Sequence, residues 1–183
     1  MSQPFIHLRA RSAYSLLQSA VHVKDLVKLA AKLGMPALGL TDSNNLFGAL
    51  EFSEAAAEVG VQPIVGLTLN VRGEGGVSGA LALFAQTNEG YSNLMRLCSG
   101  AYLDGAAPGD PHVLLPRVLE LSGGLIALTG GGDGAVANLV TAGKHEPAEA
   151  LLKQFAGAFR DRLYVELQRH GERAEAESEG ALV

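Results

Sequence analysis

The chain has 183 residues, of which 48% are hydrophobic, and a formal net charge of −5. This length suits one sizeable core, so a single domain over residues 1–183 is predicted, and a negative charge without a run of Lys or Arg argues against direct binding of DNA through its phosphates. Neither a signal-peptide pattern nor an apolar run of the roughly 20 residues that span a bilayer is found, so we expect a cytoplasmic protein without membrane contact.

Short apolar runs alternate with helical segments along the chain. Extended runs are predicted over 5–8, 37–40, 64–71, 80–85, 125–128 and 163–167, and helices over about 26–33, 46–59, 88–103, 114–121, from Asp133, and 147–159. Residues 72–79 are predicted to form a glycine-rich hairpin or loop, and 172–183 a helix-like segment. This alternation favours an α/β fold with a parallel sheet and helices outside.

The number of predicted strands is small for a closed barrel. Closure needs about seven or eight strands, whereas about six are predicted here. We therefore expect a barrel truncated before closure. Open strand edges can pair with other chains, so self-association of this fragment is expected.

One glycine-rich segment invites a different interpretation. Residues 130–135 follow a predicted strand and match the G-x-G-x-x-A pattern of dinucleotide-binding folds. The strand is not the first of a nucleotide-binding half, and Asp133 would place a carboxylate where phosphate should bind. We interpret Asp133 as a helix N-cap instead.

Two polar segments resemble metal-site motifs that lack their metal ligands. The first is His7-Leu8-Arg9-Ala10-Arg11, and the second is Thr41-Asp42-Ser43. Side chains two residues apart in a strand lie on one face, where two histidines could bind a single ion. Arginine cannot do this, since its guanidinium group has no free acceptor.

The surroundings of these motifs resemble a known domain family over nearly the whole chain. The matching segments are 7–15, 34–42, 63–66, 88–94 and 164–171. Their order and spacing resemble the N-terminal PHP (polymerase and histidinol phosphatase) domain of the bacterial replicative DNA polymerase III alpha subunit. The resemblance implies a distorted (β/α)7 barrel of the PHP type with ligands for a three-metal cluster at strand ends.

Most ligand positions implied by this resemblance are substituted. Arg9 and Arg11 stand for two histidines, Gln18 for an aspartate, Ser43 for a histidine, Thr68 for a glutamate and Ala80 for a histidine, while His170 keeps its type. His7 stands where many PHP proteins have aspartate, and we interpret it as a hydrogen-bonded core histidine. We therefore predict a degenerate site with no catalytic residue, no metal and no cofactor.

Arg9 and Arg11 would also make the implied metal site positively charged. Two fixed positive charges repel a divalent cation at short range. Three arrangements remain open for Arg9 and Arg11: an ion pair with Asp42 or Glu166, an anion site for sulfate or phosphate, or solvated side chains.

Two functions follow from the resemblance. The first is a catalytically silent scaffold that packs on the remainder of the polymerase III alpha subunit and docks the proofreading exonuclease (epsilon) subunit. The alternative is a residual metal-dependent phosphoesterase or pyrophosphatase. The parent chain would be a DNA-directed DNA polymerase, a nucleotidyltransferase, whose polymerase catalytic domain is absent from residues 1–183.

Overall fold

A computed structural model describes residues 5–104, 109–171, 175–176 and 179–180. The chain divides into two compact units, Met1–Leu67 (unit 1) and Thr68–Val183 (unit 2). Two compact units can belong to one domain, so the single domain predicted over residues 1–183 stays a prediction. No described helix is long and apolar enough to cross a membrane.

The described part of the chain contains six helices, six strands and three short 3-10 turns. The helices are α1 (Val23–Lys32), α2 (Ala49–Glu58), α3 (Asn88–Leu103), α4 (Leu115–Glu120), α5 (Ala135–Thr141) and α6 (His145–Phe159), and the strands are β1 (Ala37–Leu40), β2 (Gln62–Arg72), β3 (Ser78–Ala85), β4 (Val113–Leu114), β5 (Leu125–Leu128) and β6 (Leu163–Tyr164). The predicted bounds of β1, α3 and β5 are confirmed.

Unit 1 is built around a small core between its helices and its sheet. Helix α1 buries Val23, Val27 and Ala30, which recur at helical spacing. These side chains cluster with Phe52 of α2 and Leu38 of β1. The core therefore fixes β1, whose carboxyl end leads directly to the polar segment 41–45.

Two segments flank β1 within unit 1. Strand β2 pairs with it in parallel, with Leu40 opposite Val65. On its other side runs the N-terminal segment, where Gly39 N donates to His7 O (2.8 Å) and Thr41 N donates to Ala10 O (2.8 Å). The predicted first strand over 5–8 is not formed as a regular strand, because the segment pairs with β1 only through these hydrogen bonds, one from Ala10 N to Gly39 O (3.3 Å), and a bridge between Ala10 and Leu40.

In unit 2 the predicted parallel sheet is wrong at β3, whereas the glycine-rich hairpin or loop predicted over 72–79 is confirmed. Strand β4 pairs in parallel with β2 and β6 with β5, whereas β3 and β5 are antiparallel. The reason is the glycine turn between β2 and β3, where Gly73 N donates to Val77 O and both Gly75 and Gly76 have positive φ. A tight turn reverses the chain without a crossover helix, so the strand that follows it runs the opposite way.

The glycine-rich segment after β5 also differs from its interpretation. Residues Gly131–Asp133 form a 3-10 turn, and α5 begins after Gly134, which has no side-chain cap. Asp133 is therefore not the N-cap. The helix start is fixed instead by Gly134, where an added Cβ would lie 2.0 Å from Thr129 O.

The strands form an open sheet in the part of the chain that the structure describes. The mixed α/β class is confirmed. Of the segment 172–183, predicted to be helix-like, the structure describes only 175–176 and 179–180, and these four residues are helical; the rest of the segment lies outside the described residues. Self-association through strand edges stays a prediction.

Candidate functional site

A buried carboxylate organises the polar end of β1 in unit 1. Asp42 follows the strand and is almost completely buried. Its Oδ1 accepts hydrogen bonds from Ser12 N (2.7 Å) and Ser15 Oγ (2.6 Å), and its Oδ2 accepts one from Ser12 Oγ (2.7 Å). Three donors satisfy the charge that burial would otherwise disfavour. The carboxylate therefore fastens the turn after Arg11 to the end of β1.

Two of the positions that the resemblance assigns to metal ligands, Gln18 and Ser43, meet directly beside this network. Ser43 Oγ donates to Gln18 Oε1 over 2.5 Å, and Ser43 N donates to Ser15 Oγ over 3.1 Å. Gln18 reaches this position because residues 13–18 form a turn in which Leu17 has a φ of 64°. Where the resemblance implies an aspartate and a histidine around a metal, the chain has a neutral hydrogen bond between two side chains.

The N-terminal motif lies along β1. His7 is exposed, and its ring meets that of Phe5 edge to face with centroids 4.7 Å apart. The interpretation of His7 as a core histidine is therefore wrong, because only its backbone carbonyl is used in pairing with β1. Arg9 and Arg11 are partly buried, and both interact with other groups of the protein. Their ion pair with Asp42 or Glu166, and the anion site, stay predictions.

Unit 2 carries the remaining three positions. Thr68 lies buried in β2 and Ala80 in β3, where the alanine methyl group offers no ligand atom. His170 is exposed, and its Nδ1 lies 2.7 Å from Glu175 Oε1. Glu175 Oε2 also accepts a hydrogen bond from His170 N over 2.7 Å. A carboxylate on its own segment therefore orients this imidazole.

The residues at these positions do not fit a metal cluster of the kind that the resemblance implies. Zinc-type ions bind three or four imidazole, thiolate or carboxylate groups. The eight positions supply arginine, glutamine, serine, threonine and alanine, with histidine only at 7 and 170. Within the described ranges no group of three or more His, Cys, Asp and Glu residues is placed to hold an ion. No chemical step is therefore derived through a metal.

Sequence reasoning missed the Asp42 network. Ser12 and Ser15 were not singled out, and Asp42 was considered only as a partner for arginine. The available signal was a Ser-x-x-Ser spacing in a turn, Ser12 to Ser15, together with an acid at the end of an apolar strand. Such a pattern indicates a turn, but it does not indicate which carboxylate the hydroxyl groups will reach.

The sequence matches the model of a known protein family. The model for "PHP domain" matches residues 7–170 of this chain. This range includes every candidate site residue from His7 to His170.

Curated relatives agree with that match. The DNA polymerase III subunit alpha of Caulobacter vibrioides is 50% identical over 99% of this chain and 16% of its own length. The proteins of the same name from Vibrio cholerae and Rickettsia bellii are 39% and 38% identical, over 97% and 93% of this chain and 16% and 14% of their own lengths. The chain thus spans about one sixth of the length of these relatives.

Solved structures share the fold at low sequence identity. A protein from Bifidobacterium adolescentis, provisionally assigned to the metal-dependent phosphoesterases, aligns with a TM-score of 0.54 and 15% identity over 93% of this chain and 89% of its own. An amidohydrolase from Chromobacterium violaceum, with bound sulfate and no metal, aligns with a TM-score of 0.50 and 16% identity over 87% of this chain and 84% of its own. At such identities the likeness concerns the fold alone.

Proposed function

Because this chain belongs to the PHP domain family and its close relatives are alpha subunits of bacterial DNA polymerase III, we propose that it is the N-terminal PHP domain of such a subunit and acts as a catalytically silent scaffold. It forms a degenerate version of the distorted (β/α)7 barrel, which the remainder of the alpha subunit completes. The parent protein is a DNA-directed DNA polymerase of the cytoplasm whose nucleotidyl transfer takes place in another domain.

The observation that carries the proposal is the hydrogen bond between Gln18 and Ser43. Neutral side chains that bind each other over 2.5 Å occupy the space where the family implies two metal ligands. The adjacent Asp42 carboxylate is already engaged by three hydrogen bonds from Ser12 and Ser15. A buried carboxylate that already accepts three hydrogen bonds from neutral donors fits a structural role better than that of a metal ligand.

A domain that keeps its fold without a catalytic site can still function by binding other proteins through its surface. We infer that this surface packs against the rest of the alpha subunit and docks the proofreading exonuclease subunit. The net charge of −5 supports protein partners over direct contact with the DNA backbone.

A residual metal-dependent phosphoesterase or pyrophosphatase is the second candidate. The fold shared with the Bifidobacterium protein favours it. Against it stand the donor types at positions 9, 11, 18, 43, 68 and 80, of which none is an imidazole, thiolate or carboxylate. A single imidazole at His170, oriented by Glu175, does not replace that set.

The docking function is tested by capture of the cognate exonuclease. We expect immobilised full-length alpha subunit to retain the purified exonuclease subunit, and a variant lacking residues 1–183 to lose it. The deletion is matched by a full-length variant with Asp161→Ala, an exposed acid next to β6, which should bind as the natural protein does. Equal capture by the deletion variant would contradict the docking function.

A further inference from the structure

Five large apolar side chains are exposed around the Gln18–Ser43 pair in unit 1. The exposed fractions are 107% for Leu17, 80% for Leu16, 72% for Phe47, 71% for Leu50 and 40% for Tyr14. We call these five residues the Leu17 patch. Exposed apolar residues that stand singly are normal, whereas a contiguous cluster of them marks a surface that binds something.

The members of the patch lie on two segments that are joined to each other. The rings of Tyr14 and Phe47 pack at a steep angle with centroids 6.3 Å apart. Asn45 Nδ2 donates to Tyr14 O over 3.1 Å. Together with the bond between Ser43 and Gln18, these contacts hold the turn 13–18 against the segment 45–50. The exposed apolar side chains are thus carried by two segments that hydrogen bonds and a ring contact hold together.

Leu17 is the most informative member of the patch. Its φ of 64° is in the left-handed region, which disfavours a bulky side chain. Its side chain is completely exposed, so packing within the chain does not offset this strain. Glycine or asparagine would adopt the same turn more easily. A strained, exposed leucine is explained when its side chain contacts another molecule.

The negative charge of α2, beside the patch, indicates which kind of partner can bind there. Helix α2 carries Glu51, Glu54 and Glu58, and Tyr14 OH donates to Glu51 Oε2 over 3.3 Å. Residues 12–23 and 44–61, which form the patch and α2, contain no Lys or Arg, and the nearest basic residues in sequence are Arg11 and Lys24, directly outside the first range. In a symmetric dimer these glutamates would meet their own copies, so charge disfavours a second copy of this chain. Basic residues around an apolar segment fit the surface best.

We propose that the Leu17 patch is the docking surface for a partner segment in which large apolar side chains are flanked by Lys or Arg. The apolar side chains contact Leu16, Leu17 and Phe47, and the basic residues face the glutamates of α2. This deepens the docking function proposed above, and it rests on that function in taking the exonuclease as the first partner to test.

Photo-cross-linking in the full-length alpha subunit tests the surface without presuming the partner. A photoreactive phenylalanine analogue is placed at position 17 or 50, and at Leu33, an exposed leucine of unit 1 after α1, as the control. We expect cross-links from 17 and 50 well above the control, into an apolar segment flanked by Lys or Arg. Cross-linking no stronger than the control, into an acidic segment, or into a second copy of this chain would overturn the proposal.

Substitution by asparagine then tests whether the Leu17 patch is the surface that binds the exonuclease. Leu17→Asn keeps a residue that tolerates positive φ and removes the apolar contact, and Leu33→Asn removes an apolar side chain elsewhere in unit 1. We expect Leu17→Asn to weaken capture of the exonuclease about tenfold while its urea midpoint stays or rises, and Leu33→Asn to bind normally.

The outcomes are distinguishable. Equal capture by Leu17→Asn and the natural protein would remove the Leu17 patch as the surface and leave the docking function standing. If the natural protein captures no exonuclease, the docking function fails, and the sequence cross-linked from positions 17 and 50 decides for or against the patch.

Discussion

Replacing Asp42 by alanine is expected to lower the free energy of unfolding by about 4 kcal/mol. The substitution leaves the N–H of Ser12 and the hydroxyl groups of Ser12 and Ser15 buried without their acceptor. Each such group carries a desolvation penalty of about 1–3 kcal/mol. Urea denaturation followed by circular dichroism measures the change, and hydrogen exchange of the peptide over 12–18 assigns it to unit 1.

Two matched variants define what the carboxylate contributes. Asp42→Asn keeps one acceptor oxygen, and the Ser12 hydroxyl can turn to accept from the new amide, so we expect a loss of only about 1 kcal/mol. Glu58→Ala removes an exposed acid at the end of α2 and should stay within about 0.5 kcal/mol of the natural chain. A loss for Asp42→Ala as small as that for Glu58→Ala would refute the structural role of the network.

The second large effect is expected at Gly39 in the middle of β1. A Cβ at this position would lie 2.3 Å from Leu8 O and 2.9 Å from Leu8 Cα, both backbone atoms that cannot rotate away. Gly39→Ala should therefore push the segment carrying Arg9 and Arg11 off the strand and destabilise the chain by about 3 kcal/mol. Hydrogen exchange should rise at Ala10 and Thr41, whose N–H groups bond across this contact.

Gly157 provides the control for this substitution. It lies within α6, and an added Cβ would meet no atom within 4 Å. Gly157→Ala should raise the free energy of unfolding by about 0.5–1 kcal/mol, since alanine favours a helix over glycine. If Gly39→Ala were as stable as the natural chain, the N-terminal segment would not be held against β1 as described.

Local patterns predicted the elements that depend on local chemistry. The run Ala37–Leu40 is buried on both faces and ends at a polar segment, which marks β1 without knowledge of its neighbours. The bounds of α3 follow from Thr87, whose side chain accepts from Gly90 N as an N-cap. The reversal before β3 depends on Gly75 and Gly76 and agrees with the hairpin or loop predicted over 72–79, whereas the alternation of elements, which favours a parallel sheet, does not record strand direction.

In the candidate site, too, residue types could be predicted from the sequence, whereas contacts between distant residues could not. The proposed absence of metal ligands at Gln18 and Ser43 can be predicted from residue types, because neither side chain binds zinc-type ions well. The hydrogen bond between these two side chains cannot be predicted in this way, since it depends on a turn that gives Leu17 a positive φ. His7 was misjudged because a histidine near the start of a chain can use its backbone in a sheet and leave its ring in solvent.

The metal content of the tag-free protein, purified after growth with excess zinc and manganese, decides between a silent scaffold and a metal-dependent enzyme. A silent scaffold built on the Asp42 network should hold less than about 0.1 ion per chain by elemental mass spectrometry. One or more tightly held ions per chain would contradict the claim and would place a working metal centre in this domain.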